Sequence, residues 1–209
     1  MIKNQLRPAI VMTLLLMVVT GLIYPGIVTG IAQALFPRQA NGSMVSADGR
    51  VVGSALIAQG FTSPAYFHPR PSAAGSGYDA AASGGTNKGP TDRKLADTLV
   101  AQSVAHAVRE DGAAQGRVPA DMATRSASGL DPHVSPANAR LQVARVAAAR
   151  GVDAGRVRAL VERHTEGRTF GLLGEPRVNV LLLNLDLDRE LGKPRRQNIA
   201  AGSFDPAAG

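Results

Sequence analysis

The side chains best suited to catalysis are scattered along the 209-residue chain. There is no cysteine, which excludes disulfides, thiolate catalysis and sulfur-ligated metals. The four histidines lie far apart and lack the helical spacing of a metal-binding pair. They are His68, His106, His133 and His164. We therefore predict that the chain has no metal site and no catalytic residue of its own.

An Asp-Pro-His sequence at 131–133 lies among serines, and its histidine could act as the base for a hydroxyl nucleophile. The glycine-flanked turn that presents a nucleophilic serine is missing, however. Asp-Pro followed by Ser-Pro at 135–136 is instead typical of turns and helix caps. We interpret this segment as structural.

The segment that best fits a phosphate site is Ser-Gly-Gly-Thr-Asn-Lys-Gly-Pro-Thr at 83–91. Its glycines lead into a predicted helix N-terminus, where backbone N–H groups can bind an anion. It is not a Walker A loop, because Lys88 is followed by Gly89 and Pro90 and not by serine or threonine. Two interpretations stay open: a general anion-binding nest, or a loop whose glycines only supply positive φ angles.

The net charge of +7 does not indicate nucleic-acid binding once it is divided along the chain. The first eight residues and the tail account for much of it, which leaves 18 basic and 15 acidic residues between Arg38 and Gly192. No basic block stands out there, and aromatic residues make up only 4% of the chain. Nucleic acid is therefore excluded as a partner.

Residues 9–36 form an uncharged stretch of 28 residues that has no equal in the rest of the chain. As a helix it would be about 42 Å long, enough to span a hydrocarbon core of about 30 Å. Lys3 and Arg7 place residues 1–8 in the cytoplasm and the following domain on the other side of the membrane. The alternative is a signal peptide cleaved near Ala-Gln-Ala at 32–34, but signal peptides have apolar regions of only about 7 to 15 residues. The length favours an anchor that contacts membrane lipid.

Pro25 and Gly26 are expected to kink this helix, which a membrane tolerates when neighbouring helices bond the freed backbone groups. Gly21, Gly26 and Gly30 would let another helix approach closely. One helix cannot enclose a pore, so a role in transport would require further subunits. We predict that these three glycines dock against a partner.

Residues 37–191 predict one α+β domain, and residues 192–209 a solvated, disordered tail. Asp48-Gly49 is typical of a short hairpin, with strands at 44–46 and 50–57. Residues 59–90 are rich in glycine, proline, serine and alanine and predict a long loop. Its aromatic residues indicate that the loop packs against something.

Three helices and one strand are predicted in the rest of the domain. The first helix spans residues 91–110 and takes Thr91 as its N-cap. The second runs from a Ser135 cap to the residue before Gly151, and the third begins at Asp153. The apolar stripe of the second helix is assigned to Leu141, Ala144 and Ala148. The apolar run at 177–187 predicts a buried strand.

Five short sequences carry a resemblance to a known family. They are Gly-Ser-Ala-Leu-Ile-Ala-Gln at 53–59, Tyr-Phe-His-Pro-Arg-Pro-Ser-Ala at 66–73, Ser-Gly-Gly-Thr-Asn at 83–87, Ser-Ala-Ser-Gly-Leu-Asp-Pro-His at 126–133 and Gly-Glu-Pro-Arg-Val-Asn-Val at 174–180. Their order, with one N-terminal helix, resembles the C subunit of the Kdp-type potassium-transporting P-type ATPase. Ala58 and Thr86 depart from the family pattern, which has glycine and serine there. The resemblance ends near Arg189, so the tail inherits no function.

The resemblance implies an accessory, non-catalytic subunit of a high-affinity, ATP-driven potassium uptake complex in the bacterial inner membrane. Its partners would be a channel-like A subunit that binds potassium, a P-type ATPase B subunit and a small F subunit. The chain would hold no cofactor of its own, since ATP belongs to the complex and potassium is the ion transported. The family is also proposed to raise the ATP affinity of the ATPase subunit. At matching positions here, the nucleotide-binding residues would be Ser83, Gly84, Gly85 and Gln142.

The predicted topology conflicts with direct ATP contact, because it places Ser83 and Gln142 outside the cytoplasm. We expect instead that the periplasmic domain docks on its partners and stabilises assembly. The docking residues are assigned from two proline-containing segments, 66–72 and 126–133. They are Tyr66, Arg70, Asp131 and His133. The competing class is an anchored periplasmic ligand-binding or enzymatic domain unrelated to transport.

Overall fold

The computed structural model describes residues 2–114 and 116–194, divided into two compact units between Met44 and Val45. Most of the tail predicted to be disordered, residues 195–209, lies outside the described residues. An α+β fold is confirmed, with several helices and two small antiparallel sheets.

The N-terminal unit is helical. It contains α1 (Ile2–Val18), a π-helical turn (Val19–Ile23), α2 (Tyr24–Leu35) and the short α3 (Pro37–Ala40). Asn4–Leu35 is a continuous helix of 32 residues with a mean hydropathy of 2.2 in its most apolar part. By length and composition this helix can cross a membrane.

The irregularity expected at Pro25 takes the form of the π-helical turn. Pro25 has no N–H, and in a regular α-helix its ring would collide with the carbonyl of Gly21. The wider turn lies just before it, and the N–H of Tyr24 bonds the carbonyl of Val19, five residues back. A single π turn therefore accommodates the proline while the helix continues to Leu35.

Both sheets belong to the second unit, except for Met44, the first residue of β1. The predicted hairpin forms from β1 (Met44–Ala47) and β2 (Arg50–Ser54). The other sheet is formed by β3 (His133–Val134), β4 (Thr165–Glu166) and β5 (Arg177–Asn179) in the order β3-β5-β4. Val178 at the centre of β5 pairs with Val134 on one side and Thr165 on the other. This sheet joins β3 to the pair β4 and β5, which comes later in the sequence beyond two helices.

The longer helices of the second unit pack against this sheet or against one another. They are α4 (Ala101–Asp111), which follows a π-helical segment (Leu95–Val100), α6 (Pro136–Arg150), α7 (Ala154–Arg163) and α8 (Val180–Leu191); a single turn, α5, lies at Ala120–Ala123. The helix starts predicted at Ser135 and Asp153 are confirmed, and both residues are N-caps. The Ser135 hydroxyl accepts from the N–H of Asn138, and the Asp153 carboxylate accepts from the N–H groups of Gly155 and Arg156.

The strand predicted at 177–187 is wrong, because only Arg177–Asn179 is a strand and the rest belongs to α8. Asn179 ends the strand and caps the helix, accepting from the N–H of Leu182 at 3.1 Å. A continuous apolar run fits a buried strand or a buried helix equally well. The buried residues repeat at i, i+3, i+4 and i+7, which is the helical period: Val180, Leu183, Asn184 and Leu187.

Two local predictions for the other helices are also wrong. On α6, Ala144 and Ala148 are exposed, and the buried face instead includes Val143, Val146 and Ala147. Before α4, the backbone N–H groups of Lys94 and Leu95 are capped by Asp92 and not by Thr91. The apolar periodicity of the sequence located both helices. The face that is buried depends on the elements that pack against each helix.

The core of the second unit lies between β5 and helices α6, α7 and α8. Branched aliphatic side chains dominate it, including Val146, Val157, Leu160, Val178 and Leu183. The long loop expected at 59–90 contains no strand or helix, and its Phe67 is fully buried in this cluster. An aromatic anchor therefore fixes the middle of the loop to the core.

Candidate functional site

The long loop is held by two buried amide side chains that were not expected to act together. Gln142 of α6 accepts from the N–H of His68 at 2.7 Å and donates to the His68 carbonyl at 3.0 Å. Asn184 of α8 accepts from the N–H of Phe67 at 2.8 Å and donates to the Phe67 carbonyl at 2.9 Å. Each amide thus bonds the backbone as a neighbouring strand would.

The Gln142 side chain also forms hydrogen bonds with its remaining donor and acceptor positions. Its amide nitrogen also donates to Asn138 at 2.7 Å, and its oxygen also accepts from Arg145 at 2.7 Å. The residue is only 1% exposed. An amide group has two donor hydrogens and two acceptor positions, and all four are used within the chain.

Arg145 connects this network to the end of α4. Its guanidinium forms a buried ion pair with Asp111 at 2.7 Å and donates to the carbonyls of Pro64 and Tyr66 at 2.7 and 2.9 Å. A buried charge is tolerated when it is paired and hydrogen-bonded, and here each of the three guanidinium nitrogens donates at least one bond. The long loop is therefore bonded to α6 and α8 and linked by Arg145 to α4.

His68 lies in the same network, and its pKa is strongly lowered. Its Nε2 lies 3.0 Å from the Ser63 carbonyl, which can only accept, so this nitrogen carries the hydrogen. Burial, together with the positive charge of Arg145, lowers the pKa of His68 to about 4. The ring also stacks on His106, with a distance of 6.5 Å between ring centres. His68 is therefore a neutral packing residue near pH 7.

The predicted nucleotide residues occupy two separate places. Ser83 donates its hydroxyl to the carbonyl of Ser128 at 2.9 Å, and the N–H of Gly84 bonds the same carbonyl at 2.9 Å. Gly85 packs so closely that an added Cβ would lie 2.7 Å from the Ala127 carbonyl. These partners differ entirely from those of Gln142. The segment 83–85 thus packs on residues 127–128, and no bond links it to Gln142.

Three of the predicted docking residues are brought together. Arg70 pairs with Asp131 at 3.0 Å, with side-chain exposures of 23% and 31%. Asp131 also accepts from the backbone N–H of His133 at 3.0 Å. Burial alone would raise the pKa of Asp131, but the hydrogen bonds from His133 and Arg70 outweigh it, so the pKa lies below its usual value. The group is a partly exposed, ionised cluster.

Tyr66, the fourth docking residue, is engaged elsewhere in the domain. Its hydroxyl donates to Asp188 at 2.9 Å, and the Arg150 guanidinium lies 4.8 Å from the centre of its ring. Burial and the negative charge of Asp188 raise the pKa of Tyr66 to about 12. The ring borders a cleft of about 130 Å³ that is also lined by Phe61, Leu181 and Leu185.

The three glycines of the membrane helix face open space. A methyl group added to Gly21, Gly26 or Gly30 would meet no heavy atom within 4 Å outside the helix itself. Within residues 2–114 and 116–194, no three His, Asp or Glu side chains are grouped so that they could hold a metal ion.

Sequence reasoning missed several residues that organise the domain. Asn184 and Arg145 bond the backbone of the long loop. Asp121 accepts from Ser135 and Asn138 at 2.7 to 3.0 Å. Asn184 lies within an apolar run on the buried face of α8. A polar amide at a core position of an amphipathic helix is the signal that could have identified it.

Comparison with known proteins identifies the family. The family model described as "KdpC: K+-transporting ATPase, c chain" matches residues 6–189. The chain belongs to this family. It is therefore one subunit of a potassium-transporting ATPase, an accessory chain and not an enzyme by itself.

Several relatives named "Potassium-transporting ATPase KdpC subunit" are similar over most of their length. The protein from Gemmatimonas aurantiaca is 64% identical over 186 residues, which cover 88% of this chain and 92% of the relative. That from Myxococcus xanthus is 63% identical, covering 84% and 83%. That from Mycobacterium tuberculosis is 51% identical, covering 90% and 99%. The match includes both the N-terminal helix and the second unit.

Proposed function

We propose that this member of the KdpC family is the assembly subunit of a high-affinity potassium-uptake ATPase in the bacterial inner membrane. Its helix would cross the membrane with residues 1–8 in the cytoplasm, and the domain from residue 37 to 191 would lie in the periplasm. There it would dock on the channel-like A subunit, the P-type ATPase B subunit and the small F subunit.

The observation that carries this proposal is the geometry of Arg70. Its ion pair with Asp131 joins two loops 61 residues apart and stays partly exposed. Its Nε is buried without a hydrogen-bond partner in the described part of the chain, although buried polar atoms are normally bonded. That buried atom is out of reach of a partner, but the Arg70 side chain is 23% exposed, and this exposed part can contact another subunit. Arginine is enriched among interface hot spots.

The alternative mechanism, in which the chain binds ATP together with the ATPase subunit, is less well supported. Gln142 is buried, and its donors and acceptors already bond the chain, so a nucleotide would have to break the buried network to reach it. Gly84 and Ser83 already bond the Ser128 carbonyl. These contacts favour a structural role for both segments. An anchored periplasmic enzyme is disfavoured by the family match.

Purification of the complex tests the proposal. Arg70→Ala in the full chain should reduce the amount that is recovered with a tagged ATPase subunit after detergent extraction. Arg163→Ala is the matched control, because Arg163 also forms a carboxylate ion pair, with Glu190 at 2.6 Å. Equal recovery of both variants, with equal thermal stability, would contradict docking through Arg70.

Topology has its own test. Intact mass should show an uncleaved N-terminus, and protease added to spheroplasts should digest the domain. A mature N-terminus near residue 35, or a protected domain, would refute the proposed anchor and orientation.

A further inference from the structure

Among the described residues outside the membrane helix, the most exposed large apolar side chains lie together in one short turn, residues 169–173, which we call the apolar tip. Phe170 is 90% exposed, Leu172 80% and Leu173 62%. Three large apolar residues within four positions form a patch that water solvates poorly. The stability of the domain does not explain them, because they bury little surface within it.

The tip is nevertheless held in a defined shape. Thr169 and Leu173 exchange two backbone hydrogen bonds of 2.9 Å. Phe170 adopts a φ of 54°, in the left-handed region that is uncommon for bulky residues. Below the tip, Arg168 bonds both carboxylate oxygens of Glu175 at 2.8 and 2.7 Å. The turn is therefore preorganised, which lowers the entropy cost of binding.

The tip is also tied to the core of the domain. It connects β4 to β5, and these strands pair with each other through Thr165 with Val178 and Glu166 with Arg177. Val178 is fully buried in the core cluster. The tip is therefore attached directly to the central strand of the sheet.

The charges around the tip indicate what kind of surface it meets. Arg168 is neutralised by Glu175, and Arg177 by Glu166 at 2.9 Å. A loop that inserts into an anionic bilayer surface usually carries unpaired basic residues next to its apolar side chains. The neutral pairs here match an apolar pocket in a protein better than lipid headgroups.

We infer that the apolar tip inserts Phe170, Leu172 and Leu173 into an apolar pocket on another subunit of the potassium-transporting ATPase. This inference rests on the proposed assembly function and adds a second contact, distinct from the Arg70 cluster. The surface that receives the tip is part of another protein subunit. It presents apolar side chains and lies on the same side of the membrane as this domain.

Cross-linking in native membranes tests the occupant. A benzophenone side chain replaces Leu172 in the full chain, is irradiated in the assembled complex, and its products are mapped by mass spectrometry. A cross-link to a defined segment of a partner subunit supports the inference. Cross-links only to lipid, to a second copy of this chain or to its residues 195–209 overturn it, as does the absence of any product in an assembled complex.

A substitution tests the energetic importance of the tip. Leu172→Asp should lower recovery of the chain with a tagged ATPase subunit by at least about tenfold, the effect of losing one apolar anchor. Leu56→Asp is the matched control, since Leu56 is also exposed, at 59%. Thermal unfolding of both full-chain variants in detergent should match that of the unmodified chain.

Comparison with a strain that lacks the chain separates the two proposals. If the other subunits assemble and transport normally without this chain, the assembly function itself is wrong and the inference falls with it. If they need the chain but assemble normally with Leu172→Asp, the inference about the tip alone is wrong.

Discussion

Gln142 and the backbone of His68, 74 residues apart in sequence, form a closed pair of hydrogen bonds in the buried interior of the domain. Asn184 repeats this arrangement on the adjacent Phe67. The consecutive loop residues Phe67 and His68 have no neighbouring strand, and their backbone groups are bonded by side chains of α8 and α6. This satisfies backbone groups that would otherwise be buried without partners.

Removing the Gln142 amide should destabilise the domain strongly. In Gln142→Leu the N–H and carbonyl of His68 stay buried and lose their partners, so the free energy of unfolding should fall by about 2 to 4 kcal/mol. Gln102→Leu is the control, because the same change is made on an exposed face of α4. Denaturant unfolding of the full chain in detergent measures both. Similar losses for the two variants would contradict this role for Gln142.

The stability of the domain should depend on pH through His68. The unfolded chain protonates this histidine below about pH 6.5, whereas burial delays protonation in the folded chain to about pH 4. The unfolded state therefore binds more protons in this window, and stability falls as the pH drops from 6.5 to 4, by about 3 kcal/mol in total. Unfolding curves across this range should show the slope, and His68→Gln should flatten it. An unchanged slope in the variant would show that other groups cause it.

Two neighbouring glycines separate a nucleotide role from a packing role. Gly84→Ala adds a methyl group whose nearest heavy atom lies 4.0 Å away, so it should leave folding and the ATP requirement of the complex unchanged. Gly85→Ala places its methyl 2.7 Å from the Ala127 carbonyl and should cost about 1 to 3 kcal/mol of stability. Potassium-stimulated ATPase activity against ATP concentration is the readout. A raised ATP requirement in a stable Gly84→Ala complex would favour the nucleotide mechanism.

The membrane helix should contact its partners through the face that carries Gly26 and Gly30. Leucine at both positions fits the isolated helix, where these sites face open space, but would separate closely packed helices. We expect a lower yield of intact complex after detergent extraction. Val28→Leu is the control, since residue 28 lies on the opposite face of the helix. Undiminished yield for the double variant would exclude this face as a contact.

Replacing Tyr66 should affect both folding and assembly, in proportions that two variants can separate. Tyr66→Phe removes only the 2.9 Å bond to Asp188 and should cost about 1 kcal/mol of stability. Tyr66→Ala also removes the ring beside Arg150 and should weaken assembly by about 1 to 3 kcal/mol if the ring is an interface anchor. Subunit stoichiometry and thermal unfolding are measured on the same samples. Assembly that falls only as far as stability falls would make Tyr66 a folding residue alone.

Local signals in the sequence were sufficient where the physical cause is itself local. The apolar length of residues 9–36 predicts a helix able to span a bilayer, because a spanning helix needs only a run of consecutive apolar residues. The caps at Ser135 and Asp153 were predictable for the same reason, since a cap bonds N–H groups within three residues. The family was predicted from five short sequences, and the family match over residues 6–189 confirms it.

Tertiary structure decided what depends on distant partners. The run after Asn179 is helical because Leu183 and Leu187 pack into the core while Asn184 bonds Phe67, 117 residues away. Arg70 meets Asp131 only because two loops are folded against each other. Apolar runs and isolated polar residues are compatible with several local conformations. Burial and hydrogen bonding to remote groups select one of them, and no local window of sequence contains those groups.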